Sequence, residues 1–297
     1  MTRPPSSRAA PRQQLSQHLV HGLIYALIIV ICVFTTFPFI WMLFSSLKPL
    51  SEIFGQGLLP ANPSLENFRR LFTETPALGA LLRSFLIALT ATISSVFFCA
   101  LGGYGFAKFR FPARGPLFAL MLGTMTVPFA VTLVPLFVMM RNVFQWIDTP
   151  WPLIVPGIAN AFGIFFMRQY MISVSDEMLD AARIDGASEW QIFLRLVLPT
   201  TTPALASLGI IFFMASWNNY LWPTIVLRDP NSATLPVLIA SLQGDAGRTP
   251  YDLIMAASVV STVPMLIVCA ATVFLRGHHS RQCQGVSFPT RIASFSF

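Results

Sequence analysis

Residue types that bind phosphate, hold metals or carry out acid–base catalysis are sparse in this sequence. A phosphate-binding loop needs Gly-Lys followed by Ser or Thr, yet the two lysines, Lys48 and Lys108, are followed by Pro and Phe. The adjacent His278 and His279 stand in a basic tail with no further nearby ligand, which disfavours a metal site. The sequence contains no HExxH or GxSxG motif. We therefore expect no cofactor on this chain, and an intramembrane enzyme is disfavoured.

Acidic side chains are instead concentrated in one stretch. Five of the twelve Asp and Glu residues lie within the fourteen positions 176–189, in a chain that is 55% hydrophobic and only 10% charged. Soluble domains carry roughly a quarter charged residues, so this composition indicates a membrane protein. The charged stretch, residues 175–199, is then expected outside the bilayer; it reads SDEMLDAARIDGASEWQIFLRLVLP.

Apolar runs long enough to cross a bilayer recur along the whole chain. Residues 1–21 are rich in Arg, Pro, Ser and Gln, which predicts a disordered basic tail. The first run is too long for a signal-peptide core and lacks a small-residue cleavage site, so it is predicted to remain as a span. Within one transmembrane domain over residues 22–275, six spans are predicted at about residues 22–44, 84–106, 116–140, 152–170, 204–227 and 253–275. A second tail covers residues 276–297.

Basic residues predict the orientation, since Lys and Arg favour cytoplasmic segments. With the N-terminus inside, twelve of the nineteen Lys and Arg residues are cytoplasmic, so both termini are predicted in the cytoplasm. The net charge of +7 is spread over tails and short loops, which disfavours a nucleic-acid surface. The twelve are Arg3, Arg8, Arg12, Lys108, Arg110, Arg114, Arg168, Arg183, Arg195, Arg276, Arg281 and Arg291.

Prolines interrupt the predicted spans. Each removes one backbone hydrogen bond, and in lipid the freed carbonyl needs another partner. Simple kinks and a bundle of broken helices around a translocation path explain the pattern equally well. The prolines are Pro38, Pro128, Pro135, Pro156, Pro223 and Pro264.

Charged side chains are scarce at membrane depth. No acidic residue lies deep inside a predicted span, and the four histidines lie in or beside the tails. An ion- or proton-coupled carrier would need an intramembrane carboxylate or histidine relay. That class of transporter is therefore the less favoured alternative.

The acidic stretch carries the signals of two short helices. Ser173 or Ser175 can cap a first helix, and Asp176 and Glu177 suit its positive first turn. This helix is expected to end at about Asp185.

Gly186 can then take a positive φ and end the first helix. Ser188 and Gln191 have the spacing of a capping box, which predicts the start of a second helix. Its apolar stripe is predicted at i, i+3, i+4 and i+7, and Pro199 and Pro203 end it. The stripe comprises Trp190, Phe193, Leu194 and Val197.

This helix–Gly–helix segment has two explanations. Ala181 and Ala182 leave room for close approach by another protein, whose basic rim would meet the acidic residues. Alternatively, the pair lies on lipid headgroups with its carboxylates solvated. Interfacial helices favour Lys and Arg, so a protein-docking surface is the better prediction.

These residues resemble the cytoplasmic signature of permeases of binding-protein-dependent ABC importers. That signature runs Glu-Ala-Ala, three residues, Gly, nine residues, Ile, one residue, Leu-Pro. Asp replaces the usual Glu and Leu replaces Ile, while the spacing is kept. The matching residues are Asp180-Ala181-Ala182, Gly186, Leu196 and Leu198-Pro199.

Further motifs resemble the carbohydrate branch of that family, in the same order along the chain. AARIDGASEWQIF, residues 181–193, looks like the carbohydrate-importer form of the signature. LPANPSLENFRRLF, residues 59–72, is similar to its first external segment, and GYGFAKFRFPARG, residues 103–115, to its first cytoplasmic loop. WNNYLWPTIVL, residues 217–227, resembles the fifth-span region of the maltose-type and glycerol-phosphate-type second permease.

The resemblance implies an all-α membrane protein with the type I ABC importer permease architecture, in a bacterial inner membrane. It implies a heterodimer with a second permease, two ATPase subunits that bind ATP and Mg, an extracytoplasmic solute-binding protein and a sugar-like substrate. The segment at 173–199 would couple to the ATPase. The coupling residues it implies are Asp180, Ala181, Ala182, Arg183, Asp185, Gly186, Ala187, Leu196, Leu198 and Pro199.

A substrate path is less strongly indicated. Asn218 and Asn219 could bind sugar hydroxyls and Trp217 and Trp222 could stack on sugar rings, but helix packing and interface anchoring explain them better. Residues 228–252 would face the binding protein. The terminal sequence FLRGHHSRQCQGVSFPTRIASFSF, residues 274–297, departs from the glycine-spaced tail usual in this branch.

Overall fold

Every regular element in the described part of the chain is helical. The computed structural model describes residues 11–55, 57–243 and 249–283. Short 3-10 turns lie at Leu50–Glu52, Val155–Gly157 and Pro230–Ser232, and π-helical turns lie at Met139–Val143 and Phe193–Val197. The α-helices are α1 (Pro11–Ser46), α2 (Glu66–Glu74), α3 (Ala77–Lys108), α4 (Arg114–Thr124), α5 (Phe129–Val138), α6 (Trp151–Ile154), α7 (Ala161–Met171), α8 (Asp176–Ile184), α9 (Glu189–Ile192), α10 (Leu198–Thr200), α11 (Thr202–Trp217), α12 (Leu221–Val226), α13 (Leu235–Ser241) and α14 (Tyr251–Cys283).

The chain divides into two compact units, Met1–Arg70 with Pro250–Val259 and Leu71–Thr249 with Val260–Phe297. In the first unit, residues 20–40 of α1 are exposed along their whole length, a surface suited to lipid or to another subunit. The segment after α1 is held by Asn67, whose Nδ2 donates to the carbonyls of Ser46 and Lys48 at 2.8 Å each. Arg70 forms an ion pair with the buried Asp252 at 2.8 Å.

The helices at the two ends of the predicted transmembrane domain extend beyond the predicted bounds of residues 22 and 275. Helix α1 is described from Pro11, so residues 11–21 are helical where the sequence predicted a disordered tail. Helix α14 continues to Cys283, beyond the predicted end at residue 275. Residues 1–10 and 284–297 lie outside the described residues.

Three helices in the described ranges are long and apolar enough to cross a membrane, at Val20–Ser46, Ala77–Lys108 and Tyr251–Val268. Three further pairs of helices meet that test only together, and each pair is bent. The bends are 94° after Thr124, 42° before Ala161 and 80° after Thr200. If each bent pair is one span, the described residues contain six, the number predicted from the sequence.

A proline lies beside each of the three breaks, and the third break lies between Pro199 and Pro203. Pro128 precedes the first residue of α5, and Pro156 lies in the 3-10 turn before α7. Pro38, Pro135 and Pro264 lie inside α1, α5 and α14. Both explanations of the proline pattern therefore apply, at different places in the chain.

The fifth span is displaced toward the N-terminus relative to the prediction of residues 204–227. Helix α11 ends at Trp217, and α12 begins only at Leu221. The amide side chain of Asn218 donates to the Met214 carbonyl at 3.0 Å, and Asn219 Oδ1 accepts from the Trp222 N–H at 3.4 Å. Asn side chains compete with the helical backbone for such bonds, so a helix end at the Asn pair follows.

Small side chains predominate on the buried face of α3, in the second unit. The buried positions of α3 recur every three or four residues, which places them on one face. Helix α7 packs against this face, and α11 packs beside it. The buried residues are Ala77, Ala80, Ser84, Ile87, Ala88, Ala91, Ser95, Cys99, Ala100, Gly103 and Tyr104.

Two glycines allow α3 and α7 to approach closely. A Cβ on Gly103 would lie 2.7 Å from the Met167 Cβ and 2.9 Å from the Arg168 nitrogen. A Cβ on Gly163 would lie 2.6 Å from Cys99 Sγ. Close approach through small residues is how membrane helices gain packing contacts.

We predict that Gly103→Ala lowers the free energy of unfolding by about 1–3 kcal/mol, because the added methyl group must separate the two helices. The measurement is thermal unfolding of the purified protein in detergent. Gly105→Ala is the matched control, since a Cβ there meets nothing within 4 Å. The control should be neutral or stabilising by up to about 1 kcal/mol, because Ala favours a helix over Gly. Equal unfolding temperatures for both variants would contradict the packing account.

Candidate functional site

Helix α8 begins with the predicted cap. Ser175 has extended backbone angles, and its Oγ accepts a hydrogen bond from the Met178 N–H at 3.4 Å. Asp176 and Glu177 lie in the first turn, where carboxylates are stabilised by the helix dipole. Of the two serines considered from the sequence, Ser175 is therefore the cap.

The turn after α8 depends on Gly186, whose φ is +82°. The Gly186 N–H donates to the Arg183 carbonyl at 3.0 Å, and the Ala187 N–H donates to the Ala182 carbonyl at 3.0 Å. These two bonds form the Schellman pattern, which ends a helix with a left-handed residue. The helix therefore ends where the sequence predicted.

The second helix also begins as predicted, but its buried face differs from the predicted one. Ser188 Oγ accepts from the Gln191 N–H and Gln191 Oε1 accepts from the Ser188 N–H, a complete capping box. Phe193 and Val197 are buried, whereas Trp190 is 51% exposed, so the predicted stripe is wrong at its first position. Leu194 is exposed as well. The π-helical turn at Phe193–Val197 has i→i+5 bonds and more residues per turn than an α-helix, so the α-helical spacing does not keep these four side chains on one face.

We call residues 175–199 the hairpin. The start of its first helix, α8, is bonded to the end of α3 through Lys108, whose side chain is only 5% exposed. The ammonium donates to Asp176 Oδ1 and to the Val174 carbonyl, at 2.6 Å each. The Lys108 bond holds the pKa of Asp176 below its ordinary value of 3.8. Because stability from a depressed carboxyl pKa is lost only as the pH falls through that lowered value, this pair is intact throughout the neutral range.

A second tie joins α3 to α9. The Tyr104 hydroxyl donates to Glu189 Oε2 at 3.1 Å, and Arg183 Nε donates to Glu189 Oε1 at 2.6 Å. Arg183 also donates to Asp180 Oδ1 at 2.6 Å, so one guanidinium links α8 to α9. These bonds raise the pKa of Arg183.

Two of the chain's own cations therefore form ion pairs with three of the five carboxylates in the stretch. Asp176 pairs with Lys108, while Asp180 and Glu189 pair with Arg183. These three carboxylates have partners within the chain, and the expectation that the acidic residues as a group meet a basic partner stays a prediction. Only Glu177 and Asp185 have no ion pair among the described residues.

An open groove of about 330 Å³ lies where α8, the glycine turn and α9 meet. The resemblance indicated five of its lining residues and missed Gln191, Ile192 and Arg195, which are one or two turns into the second helix. No local sequence signal marks them, because their place at the groove depends on how the two helices lie against each other. The lining residues are Ala182, Asp185, Gly186, Ala187, Gln191, Ile192, Arg195 and Leu196.

The remaining indicated residues surround this groove without lining it. Asp180 and Arg183 form the ion pairs beside it, and Ala181 is exposed on α8. Leu198 is half-buried and Pro199 is exposed, at the connection toward α11.

The four residues considered for a substrate path separate into two kinds. Trp217 and Trp222 are buried, and their indole N–H groups donate to the carbonyls of Ser261 at 3.0 Å and Pro152 at 2.8 Å. Asn218 bonds its own helix. Asn219 alone of the four lines a larger cavity, so the two tryptophans act in packing and Asn219 remains the candidate.

We call this cavity, of about 260 Å³, the polar cavity. It lies beside the break between the 3-10 turn Val155–Gly157 and α7. Ser95 and Ser216 were not predicted from the sequence, because serine in an apolar run is as common in helix packing as in binding. The side chains that give it its chemical character are Ser95, Asn160, Phe212, Ser216 and Asn219.

A family model described as "Binding-protein-dependent transport system inner membrane component" matches residues 97–283. The chain belongs to this family. The match includes the whole hairpin, and it confirms the family that the sequence motifs indicated. This inner-membrane component is accordingly a multi-pass membrane protein of a transport system.

Curated relatives of this inner-membrane component are transport permeases. The chain is 35% identical over 237 residues to the arabinooligosaccharides transport system permease protein AraQ of Halalkalibacterium halodurans, which covers 78% of this chain and 84% of that protein. It is 33% identical over 244 residues to the lactose transport system permease protein LacG of Rhizobium radiobacter, covering 82% and 89%. It is 31% identical over 232 residues to the sn-glycerol-3-phosphate transport system permease protein UgpE of Salmonella typhimurium, covering 74% and 81%.

Solved structures agree on the fold of this inner-membrane component. A bacterial ABC transporter involved in the import of the acidic polysaccharide alginate contains a chain that superposes with a TM-score of 0.78 at 22% identity, covering 91% of this chain and 98% of that one. The same transporter type in complex with an alginate pentasaccharide-bound periplasmic protein gives a TM-score of 0.66 at 15% identity. The all-α importer-permease fold predicted from the sequence is thereby confirmed.

We predict that Lys108→Met loosens the hairpin, because it leaves the Val174 carbonyl and the Asp176 carboxylate without their donor. Amide hydrogen exchange in α8 should accelerate about tenfold or more, as expected when two hydrogen bonds to a charged group are lost. Asp176→Asn is the matched comparison. It keeps the bond from Lys108 to Val174, so its exchange should accelerate much less. Exchange rates that are the same in both variants would show that Lys108 does not hold the hairpin.

Proposed function

We propose that this chain is one permease subunit of an ATP-driven ABC importer for a sugar or sugar-like solute. The observation that carries the proposal is the hairpin, a two-helix element with a groove between the helices, joined to a bundle of broken helices. The names of AraQ, LacG and UgpE support a carbohydrate or polyol substrate. In this proposal ATP and Mg are bound by two copies of a separate ATPase subunit.

The rest of the assembly follows from the same proposal. A second permease completes the pathway, and a solute-binding protein delivers the substrate outside the bacterial inner membrane. The exposed apolar face of α1, residues 20–40, gives lipid or the second permease a surface to cover. Both termini lie in the cytoplasm, as the basic residues indicate.

The hairpin has the geometry to couple ATPase movement to the spans. Its groove would receive an element of the ATPase, with the small residues Ala182, Gly186 and Ala187 permitting close approach. Lys108 and Tyr104 join the hairpin to α3. Toward the other end, the chain continues through α10 into α11 across the 80° bend. A push on the hairpin would therefore move two of the helices that pack together in the core.

ATP binding then drives transport as a population shift. The ATPase subunits would hold the hairpin differently when open and when closed, and a ligand shifts a conformational equilibrium only by such a difference. The permease needs no energy source of its own in this scheme. It needs only two stable arrangements of its spans and one rigid contact with the ATPase that differs between those two arrangements.

The function is tested by reconstituting the chain with its co-purifying partners in proteoliposomes. Lactose, arabinotriose and sn-glycerol 3-phosphate are the probes, each presented with the binding protein. We expect uptake of at least one probe that requires ATP on the ATPase side and persists with a protonophore. Uptake that follows an ion gradient and ignores ATP would contradict the proposal and favour a coupled carrier.

The hairpin's role is tested by Gly186→Pro. Proline cannot adopt a φ of +82° and has no N–H for the Arg183 carbonyl. We expect loss of ATP-driven uptake by about tenfold or more, with normal membrane insertion. Gly186→Asn is the control, because Asn tolerates the left-handed region, and it should retain most uptake. A Gly186→Pro complex that recruits the ATPase and transports normally would refute the docking assignment.

A second variant tests the groove itself. Ala182→Trp places a large ring where the half-buried Ala182 lines the groove, without altering the glycine turn. We expect weaker recovery of the ATPase with the tagged permease and a matching loss of uptake. Ala181→Trp is the comparison, since Ala181 is exposed beside the groove and does not line it. Equal losses in both variants would mean that the groove is not the contact.

A further inference from the structure

The polar cavity lies near the middle of the helix bundle. Ser95, which lines it, is thirteen residues before the end of α3 at Lys108. At a rise of 1.5 Å per residue, the cavity is about 20 Å along α3 from the hairpin. In transporters, substrate sites occur at this depth, where helices are discontinuous and backbone groups are exposed.

We propose that the polar cavity is a sugar-hydroxyl subsite contributed by this subunit, in which Asn160 and Asn219 donate hydrogen bonds and Phe212 supplies an apolar wall. This inference rests on the proposed function and names the surface that would contact the substrate. The cavity is open on one side, where the second permease of the proposed pair would complete the walls.

The orientation of the two asparagines supports this assignment. Asn160 Oδ1 accepts from the N–H groups of Phe162 at 2.9 Å and Gly163 at 3.3 Å, as the N-cap of α7. Asn219 Oδ1 accepts from the Trp222 N–H. Each backbone contact uses the oxygen, and neither Nδ2 group has an acceptor among the described residues. Two amide donors are therefore available at the cavity wall, and a sugar offers hydroxyl and ring oxygens to accept from them.

The other side chains that line the polar cavity are also chemically suited to bind a polyhydroxylated ring. The Ser216 hydroxyl has no hydrogen-bond partner among the described residues, whereas the Ser95 hydroxyl donates to the Gly157 carbonyl at 3.0 Å. The half-buried ring of Phe212 lies in the same wall. Small-molecule sites combine a few polar groups with apolar or aromatic surface in just this way. At about 260 Å³ the cavity is close to the lower end of their size range, roughly 300 Å³.

A small second cavity continues the polar lining. It has a volume of about 10 Å³ and shares Ser216 and Asn219 with the polar cavity. Thr234 also lines it, is 5% exposed, and its Oγ1 has no hydrogen-bond partner in the part of the chain that the structure describes. A buried hydroxyl without a partner is costly. A water molecule or a substrate hydroxyl at this position would satisfy it.

The test uses serine substitutions, because serine retains an oxygen that can accept from the backbone but removes the amide donor. Asn160→Ser and Asn219→Ser are compared in the reconstituted complex, with whichever probe among lactose, arabinotriose and sn-glycerol 3-phosphate the wild type takes up. Asn218→Ser is the matched control, since Asn218 bonds the Met214 carbonyl and does not line the cavity. The measured quantity is the number of ATP molecules hydrolysed per molecule of probe imported.

We expect this ratio to rise about three- to tenfold in each of the two variants, the effect of one lost hydrogen bond to substrate. The ATPase rate itself should stay near that of the wild type. A purely structural role would lower ATP hydrolysis and uptake together and leave the ratio unchanged, which would overturn the subsite. An increase of the same size in Asn218→Ser would overturn it as well. Wild-type complexes that import none of the probes with ATP would overturn the proposed function and the subsite with it.

Discussion

Close packing of α3 against α7 positions every feature that bears on function. Glycines at 103 and 163 bring the two helices so near that a single methyl group at either contact has no room. From this contact, α3 runs in one direction to Tyr104 and Lys108 at the hairpin and in the other to Ser95 at the polar cavity. Small residues on one face are what make such an approach possible in lipid, where helices gain little from hydrophobic burial.

Because of this packing, α3 is a rigid connection between the hairpin and the polar cavity, which have different proposed functions. The hairpin is bonded to its end through a buried lysine, and the cavity lies about 20 Å away along the same helix. The broken helices α7 and α11 supply the other walls of the cavity. A displacement of the hairpin would therefore change the shape of the cavity without any rearrangement inside α3, and the 42° and 80° bends are the places where the bundle can adjust.

Local signals explain why the hairpin could be predicted from the sequence. Ser175, Gly186 and the Ser188–Gln191 box each act on backbone groups a few residues away, so no tertiary information is needed. The groove required more, because Gln191 and Arg195 reach it only through the relative placement of two helices. The π-helical turn at Phe193–Val197, which breaks the α-helical spacing of the predicted stripe, has no comparable local signal. For the same reason, the roles of Trp217 and Trp222 depended on carbonyl partners on distant segments, Ser261 and Pro152.

Internal charge pairing on the hairpin has a consequence for assembly. Lys108 and Arg183 already pair with three of its five carboxylates, and with Arg195 the three cations leave an excess of two negative charges, a reduced net field for an approaching subunit. Long-range attraction, which accelerates association and is screened by salt, would contribute little to its encounter with the proposed ATPase. Recognition would depend instead on the shape of the groove at short range. The complex, once formed, should then hold together at ionic strengths that separate partners joined mainly by opposite charges.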